Sequence, residues 1–161
     1  MTNEHQPEQE ETEQQRINRE LDQLLNELRV AMPGVQVLFA FLLAVPFQQR
    51  FGEVTDFQRS VYFVTLLASA AASALFIAPT AYHRLMFRQR EKPMLVKISS
   101  RLAVMGLCCL AVAMNGAVLL VTDVLFEQTT VTITIVLTAA AYIGLWFGLG
   151  LTRRMSGKGS P

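Results

Sequence analysis

The sequence predicts an all-α polytopic membrane protein, with four transmembrane helices in a bundle and an amphipathic cytoplasmic helix before the first span. Three observations carry this prediction. Hydrophobic residues make up 52% of the 161 residues and charged residues only 17%, against about 25% charged residues in an average soluble domain. Long segments contain no charge, and the basic residues between them gather on alternate connections. This pattern excludes an ordinary water-soluble domain.

Four segments contain no Asp, Glu, Lys or Arg and are long enough to cross a bilayer. They run from Val30 to Gln49, Ser60 to His83, Leu102 to Thr122 and Gln128 to Thr152. A spanning helix needs about 20 apolar residues for a hydrocarbon core of about 30 Å. The strands of a membrane barrel would alternate apolar and polar residues, which these segments do not. We therefore predict transmembrane helices at about residues 33–50, 58–82, 99–122 and 129–151.

The chain before the first span begins with an acidic, Gln-rich tail, "MTNEHQPEQEETEQQ". Such a composition cannot bury enough apolar surface to fold, so residues 1–14 are predicted to be disordered. The tail also lacks the basic and then apolar pattern of a signal peptide.

An apolar stripe in residues 15–32 predicts a cytoplasmic amphipathic helix. The stripe consists of Ile17, Leu21, Leu24 and Leu28, at spacings of four, three and four residues. The sequence Met-Pro-Gly that follows at 32–34 predicts a break or kink before the span. The polar face mixes both charges, whereas membrane-surface helices are usually rich in Lys and Arg. Docking on the rest of the protein, or on a partner helix, is therefore favoured over docking on the membrane.

The connection between the second and third spans holds six of the fourteen basic residues. They are Arg84, Arg88, Arg90, Lys92, Lys97 and Arg101. Together with the segment before the first span and the tail 153–161, one side of the membrane receives every basic residue except Arg50 and Arg59. Lys and Arg are retained on the cytoplasmic side. Both termini are therefore predicted to be cytoplasmic, in a multi-pass protein.

The basic connection has two further interpretations as a binding surface. Anionic lipid headgroups are plausible partners, at about 1 kcal/mol for each nearby basic residue. Nucleic acid is not expected, because the connection has no domain that would position it.

Small residues in the spans indicate contacts between helices: Ala140, Gly144 and Gly148 are four apart, and the second span contains "ASAAASA". These motifs fit either an internal seam or the interface of a homo-oligomer or of a membrane protein partner.

No residue pattern predicts a catalytic, metal or cofactor site. Cys108 and Cys109 are adjacent, so on a helix they point about 100° apart and do not form one site. His5 and His83 have no second ligand at a metal-binding spacing. An enzyme is therefore not expected, and neither is a cofactor.

Polar residues in or near the spans are few. Asn115 is predicted to make an interhelical hydrogen bond rather than to serve transport, and Asp123 to be a solvated helix end rather than a proton relay. His83 and Arg84 follow Pro79, which removes a backbone hydrogen bond. They are either interfacial anchors or docking residues for acidic side chains of the N-terminal helix.

Two stretches resemble a family of small four-span bacterial membrane proteins, common in actinobacteria, whose function is unknown. They are "RELDQLLNELRVAMPGVQVLFAFLLAVPFQQRF" and "PTAYHRLMFRQREK", and the resemblance extends from about Arg19 to Arg154. It implies the four-span topology and a bacterial plasma membrane, and it supplies no catalytic residues.

The function that these observations favour is that of a non-enzymatic membrane scaffold or accessory subunit. Its cytoplasmic face would combine the amphipathic helix with the basic connection. The alternative is a small transporter or channel subunit that acts as an oligomer. The low polarity of the four charge-free segments favours the scaffold.

Overall fold

The computed structural model describes residues 13–85 and 92–148, and this part of the chain is almost entirely helical, as predicted. The α-helices are α1 Glu13–Ala44, α2 Asp56–Leu85, α3 Lys92–Leu125 and α4 Gln128–Ile143. Two short 3-10 turns, Val45–Phe47 and Gln49–Glu53, connect α1 to α2. A π-helical turn, Gly144–Gly148, continues α4. No strand occurs among the described residues.

Four helical segments are long and apolar enough to cross a membrane, and the first and last of them extend from α1 and α4 into the short turns that follow. These segments are Asp22–Phe47, Asp56–Ala81, Ile98–Leu125 and Gln128–Trp146, so the chain is a multi-pass membrane protein. At 1.5 Å per residue, α1, α2 and α3 are about 45–51 Å long, which exceeds the hydrocarbon thickness of about 30 Å. We call the end that carries the α1–α2 and α3–α4 connections the turn end.

Of the break or kink predicted at 32–34, the break is absent, because α1 continues through Pro33. Pro33 has no amide hydrogen to donate to the carbonyl oxygen of Arg29. Both residues are exposed, so water or headgroups can bind that carbonyl. On either side of the proline, Leu28 and Val35 are buried in the core. Packing on both sides outweighs one lost hydrogen bond, and the two predicted segments form one helix.

In three helices the buried and half-buried residues include a stripe with spacings of three, four or seven residues. The stripes are Leu24, Leu28, Ala31, Val35, Leu38 and Leu42 on α1; Tyr62, Thr65, Ser69, Ala72, Phe76 and Pro79 on α2; and Ser99, Gly106, Leu110 and Ala113 on α3. A repeat that averages 3.5 residues keeps one stripe of a helix against its neighbours over its whole length. Helices α1, α2 and α3 therefore form the packed core of the bundle.

Helix α4 lies at the edge of this core. Helices α2 and α3 form the most extensive pair, α1 packs against both of them, and α4 packs against α3. Within the described residues, the backbone of α4 does not closely approach that of α1 or α2. Val131 is the residue that α4 buries most completely. The bundle is consequently open between α2 and α4.

Candidate functional site: two apolar grooves of the helix bundle

Small residues build the seam between α2 and α3. Ala72, part of the small-residue run of α2, is completely buried in the core cluster that α1, α2 and α3 share. A Cβ atom placed on Gly106 would lie 2.5 Å from Cε1 of Phe76, so the phenyl ring occupies the space of a side chain at that position. Gly116 faces Thr65 in the same way. The two glycines allow the helices to approach closely. Helices α2 and α3 consequently form the most extensive helix pair in the described part of the chain.

A polar link joins α2 and α3 at the turn end. Thr55 and Gln58 form a capping box, in which the amide of Thr55 donates to Oε1 of Gln58 at 3.0 Å and the amide of Gln58 donates to Oγ1 of Thr55 at 3.2 Å. This leaves Nε2 of Gln58 free to donate to Oδ2 of Asp123 at 2.8 Å. Asp123 is therefore half-buried and accepts a hydrogen bond from a second helix, so it differs from the solvated helix end that the sequence predicts.

A second link joins α1 and α2 at the same end. The hydroxyl of Tyr62 donates to the carbonyl oxygen of Leu42 at 2.9 Å. The ring of Phe51, from the α1–α2 connection, meets the Tyr62 ring edge-on with 5.2 Å between centroids. The end of α1 is thereby fixed against α2.

The first groove is the α1/α3 wedge, an apolar cavity of about 460 Å³ at the turn end. Its walls are the last turns of α1, including Leu38 and Phe41, and the α3 segment from Ala117 to Leu125. Tyr62 contributes to its floor. The surface that lines it is apolar throughout.

The second groove is the α2/α4 groove, an open cavity of about 670 Å³ that lies over α3. Along α3 it extends from Cys108 to Leu119, a rise of about 16 Å. Val64 on α2 and Ile143 on α4 lie on its two sides. No Asp, Glu, His, Lys or Arg contributes to its lining, which is almost entirely apolar.

Asn115 lies in the wall of the α2/α4 groove and joins α3 to α4. The hydroxyl of Thr138 lies 2.8 Å from Oδ1 of Asn115, and Nδ2 of Asn115 donates to the carbonyl of Ala111 at 3.0 Å. The Thr138 hydroxyl has one proton, and its distances to the carbonyls of Thr134 and Ile135 are longer, at 2.9 and 3.1 Å. This is the kind of interhelical bond that the sequence predicts for Asn115.

Among residues 13–85 and 92–148, no group of His, Cys, Asp and Glu side chains could hold a metal ion. Cys108 is exposed and Cys109 half-buried, and both are free thiols. The two grooves can therefore accommodate apolar groups, and the polar groups beside them connect one helix to another.

Comparison with known proteins identifies the family. The profile of DUF6328, a family of unknown function, matches residues 10–150. The chain belongs to this family. No curated protein matches the sequence, and no solved structure matches the fold. Membership of DUF6328 covers all four spans and adds no activity to them.

Of the other residues predicted to matter in this DUF6328 chain, Gly144 is the one whose surroundings the structure describes. Gly144 is exposed, and a Cβ atom on it would meet nothing within 4 Å. It lines no seam among the residues that the structure describes, and a contact between copies remains a prediction. The surroundings of Gly148 and the side chains of His83 and Arg84 lie outside the described part. So do residues 1–12, for which disorder is predicted, and residues 86–91 in the middle of the basic connection.

Several residues of the grooves and seams are not among those that the sequence predicts to matter. Gly106 and Gly116 share one face of α3 with Leu110 and Ala113, and this periodicity is the signal that could identify them. The proline at 46, four residues after the carbonyl that Tyr62 binds, is the signal for its hydrogen bond.

Proposed function

We propose that this protein is a non-enzymatic scaffold or accessory subunit of a bacterial plasma membrane, and that it binds a transmembrane helix of a partner protein in the α2/α4 groove. The observation that carries this proposal is the position of α4, which packs against α3 and leaves the groove beside α2 open. A partner helix placed there would contact α2, α3 and α4 at once. Helices associate in lipid through this kind of van der Waals packing.

The chemistry of the groove fits a helix better than a transported solute. Its lining is almost entirely apolar, with Asn115 near the middle of α3 as a hydrogen-bonding group. A partner helix with an apolar face and one polar side chain would complement it. A transport path would need ionisable or polar groups at depth. The transporter or channel alternative therefore depends on groups that a second copy would have to supply.

The proposed cytoplasmic face combines the first turns of α1 with the basic connection 84–101. On α1 this face is strongly polar, with Arg16 and Glu20 paired at 3.1 Å and both exposed. The basic residues number twelve on this side and two on the other, which supports cytoplasmic termini. This surface can bind anionic headgroups or the cytoplasmic part of the partner.

Photo-crosslinking from two adjacent positions on α2 tests the proposal. Val64 and Phe63 are matched in exposure, at 55% and 57%, but only Val64 lines the groove. A photoreactive amino acid at position 64 should give one crosslinked product of defined mass in native membranes, and the same group at 63 should give little. Val112→Trp, which fills the groove from α3, should reduce the crosslink from position 64.

Mass spectrometry of the product decides among the outcomes. The proposal is supported if position 64 crosslinks to a single membrane protein and Val112→Trp abolishes that crosslink. A product of twice the chain mass indicates a second copy, and conductance of the purified oligomer in bilayers would favour the channel alternative. Equal crosslinking from 63 and 64, or none from either, would contradict binding in the groove.

A further inference from the structure

The α1/α3 wedge is confined to the half of α1 and α3 next to the turn end. In the half of the bundle remote from that end, α1 and α3 share one core cluster, to which α1 contributes Val35 and α3 contributes Leu110. At the turn end, Phe41 of α1 and Val121 of α3 line opposite sides of the cavity. The cavity therefore lies next to the turn end, and nearer the middle of the two helices its place is taken by the shared core.

Fixed contacts keep the wedge open. The Tyr62 hydroxyl holds the Leu42 carbonyl at 2.9 Å, which ties the end of α1 to α2 rather than to α3. Leu42 itself is 4% exposed, so its side chain is packed within the bundle. On the other side, the bond from Gln58 to Asp123 fixes the end of α3 to α2. Both walls are thus held against α2, and the separation between them is part of the fold.

The chemistry of the wedge excludes two kinds of occupant. A buried water needs two to four polar partners, and the apolar lining provides none. A spanning helix must continue for about 30 Å, but the wedge closes where α1 meets α3. An empty space of this size would deprive its lining of van der Waals contacts. The occupant must be apolar, slender, and short enough to end near the middle of the bilayer.

We propose that the α1/α3 wedge binds one acyl chain of a phospholipid from the leaflet at the turn end. The α3 wall from Ala117 to Leu125 rises about 12 Å, close to the thickness of one leaflet, about half of the 30 Å core. The polar pair Gln58 and Asp123 lies at the open end, at the level where the headgroup would be. The site is separate from the α2/α4 groove.

The test uses the full chain in vesicles of phosphatidylethanolamine and phosphatidylglycerol, with a trace of phosphatidylethanolamine that carries a diazirine in one acyl chain. After irradiation, crosslinked peptides should come mainly from 38–45 on α1 and 117–125 on α3. Ala117→Phe fills the wedge, and Val124→Phe blocks its rim, where Val124 is 63% exposed and tolerates a larger side chain. Each variant should lower crosslinking in these peptides at least fivefold. The control is Ala140→Phe, a small-to-large change at an exposed position of α4.

The outcomes separate a built site from general lipid contact. Loss of crosslinking in both variants, with an unchanged melting temperature for Val124→Phe and an unchanged pattern for Ala140→Phe, supports the proposal. Crosslinks spread evenly over all four helices, or unaffected by Val124→Phe, would overturn it. A diazirine-labelled free fatty acid that labels the wedge more strongly than the phospholipid would also overturn it, because the source would then be a free acid.

Discussion

The hydroxyl of Tyr62 donates a 2.9 Å hydrogen bond to the carbonyl oxygen of Leu42, a backbone group that its own helix cannot satisfy. In a regular helix this carbonyl would accept the amide of residue 46, but that residue is Pro46 and has no amide hydrogen. An unpaired carbonyl in hydrocarbon costs several kcal/mol, roughly the loss of a full hydrogen bond. The tyrosine of α2 therefore compensates for the proline at the end of α1.

Tyr62→Phe should lower the free energy of unfolding by about 1 kcal/mol, within the range measured for interhelical hydrogen bonds in membranes. Pro46→Ala supplies an amide for the Leu42 carbonyl, so the tyrosine substitution should cost less than half as much in that background. Equilibrium unfolding in mixed detergent micelles, followed by circular dichroism, measures both. This double-mutant cycle isolates the one bond.

The matched control is Tyr142→Phe. Its hydroxyl has no hydrogen-bond partner in the described part of the chain, while its ring contacts Trp146 with 5.4 Å between centroids. This variant should unfold like the native protein. If Tyr62→Phe costs the same with and without Pro46→Ala, the proposed compensation is contradicted.

Two helical glycines should respond to the same substitution with opposite signs. Gly106→Ala places a methyl group 2.5 Å from the buried Phe76 ring, and such overpacking costs about 1–3 kcal/mol. Gly34→Ala meets nothing within 4 Å, and replacement of an exposed helical glycine gains about 0.5–1 kcal/mol. Melting temperatures in one detergent should therefore fall for Gly106→Ala and rise for Gly34→Ala. A rise in both would mean that α2 and α3 are not in close contact at Phe76.

The bond between Asn115 and Thr138 predicts non-additive costs. Asn115→Leu and Thr138→Val should each lower the free energy of unfolding by about 0.6 kcal/mol. The double variant should cost about as much as either single variant, because both remove one shared bond. Thr132→Val is the control, since its hydroxyl binds the Gln128 carbonyl within α4. Fully additive costs would show that the two side chains do not interact.

The spans are predictable from the sequence because hydrocarbon imposes a strict rule on charge and length. The predicted second span, 58–82, lies within α2, Asp56–Leu85, and the predicted start of the fourth at 129 is one residue from Gln128. The continuity of α1 is not predictable in this way. The local cost of Pro33 can be read from the sequence, whereas the burial of Leu28 and Val35 that offsets it depends on the neighbouring helices.

The grooves are not predictable from hydrophobicity, for a physical reason. In a soluble helix the apolar face marks the side that is buried, but a spanning helix is apolar on every side. Val64 and Phe63 are equally suited to lipid. Val64 becomes part of a groove only because α4 packs against α3 at a distance from α2. Small residues are the remaining feature of the sequence that indicates a contact between helices. In α2 the small-residue run contains the fully buried Ala72, whereas Gly144 of the motif in α4 is exposed.

Gly144→Leu tests whether the small residues of α4 contact a second copy. Because Gly144 is exposed and a Cβ atom there meets nothing in the described part of the chain, the substitution should leave the melting temperature of a single chain unchanged. A smaller particle size by light scattering in mild detergent, for Gly144→Leu alone or with Gly148→Leu, would assign this face to an oligomer. A clear drop in the melting temperature of the monomer would contradict the exposed position of Gly144.

The orientation in the membrane follows from the basic residues and can be tested directly. With Cys108 and Cys109 replaced by alanine, a single cysteine at Val54 lies in the connection between α1 and α2, next to the turn end. A second variant places the cysteine at Gln89, in the basic connection. A membrane-impermeant maleimide should modify the first variant in intact cells and leave the second unmodified.

The expected asymmetry has an electrostatic cause, because short connections rich in Lys and Arg are retained in the cytoplasm during insertion. Permeabilised cells provide the control, since both cysteines should then react. Changing the four basic residues nearest Gln89, namely Arg84, Arg88, Arg90 and Lys92, to glutamine should weaken the preference and produce a mixed population. Labelling at Gln89 but not at Val54 in intact cells would place the termini outside the cytoplasm. The proposed cytoplasmic face of α1 would then be withdrawn, and the wedge would open toward the cytoplasmic leaflet instead.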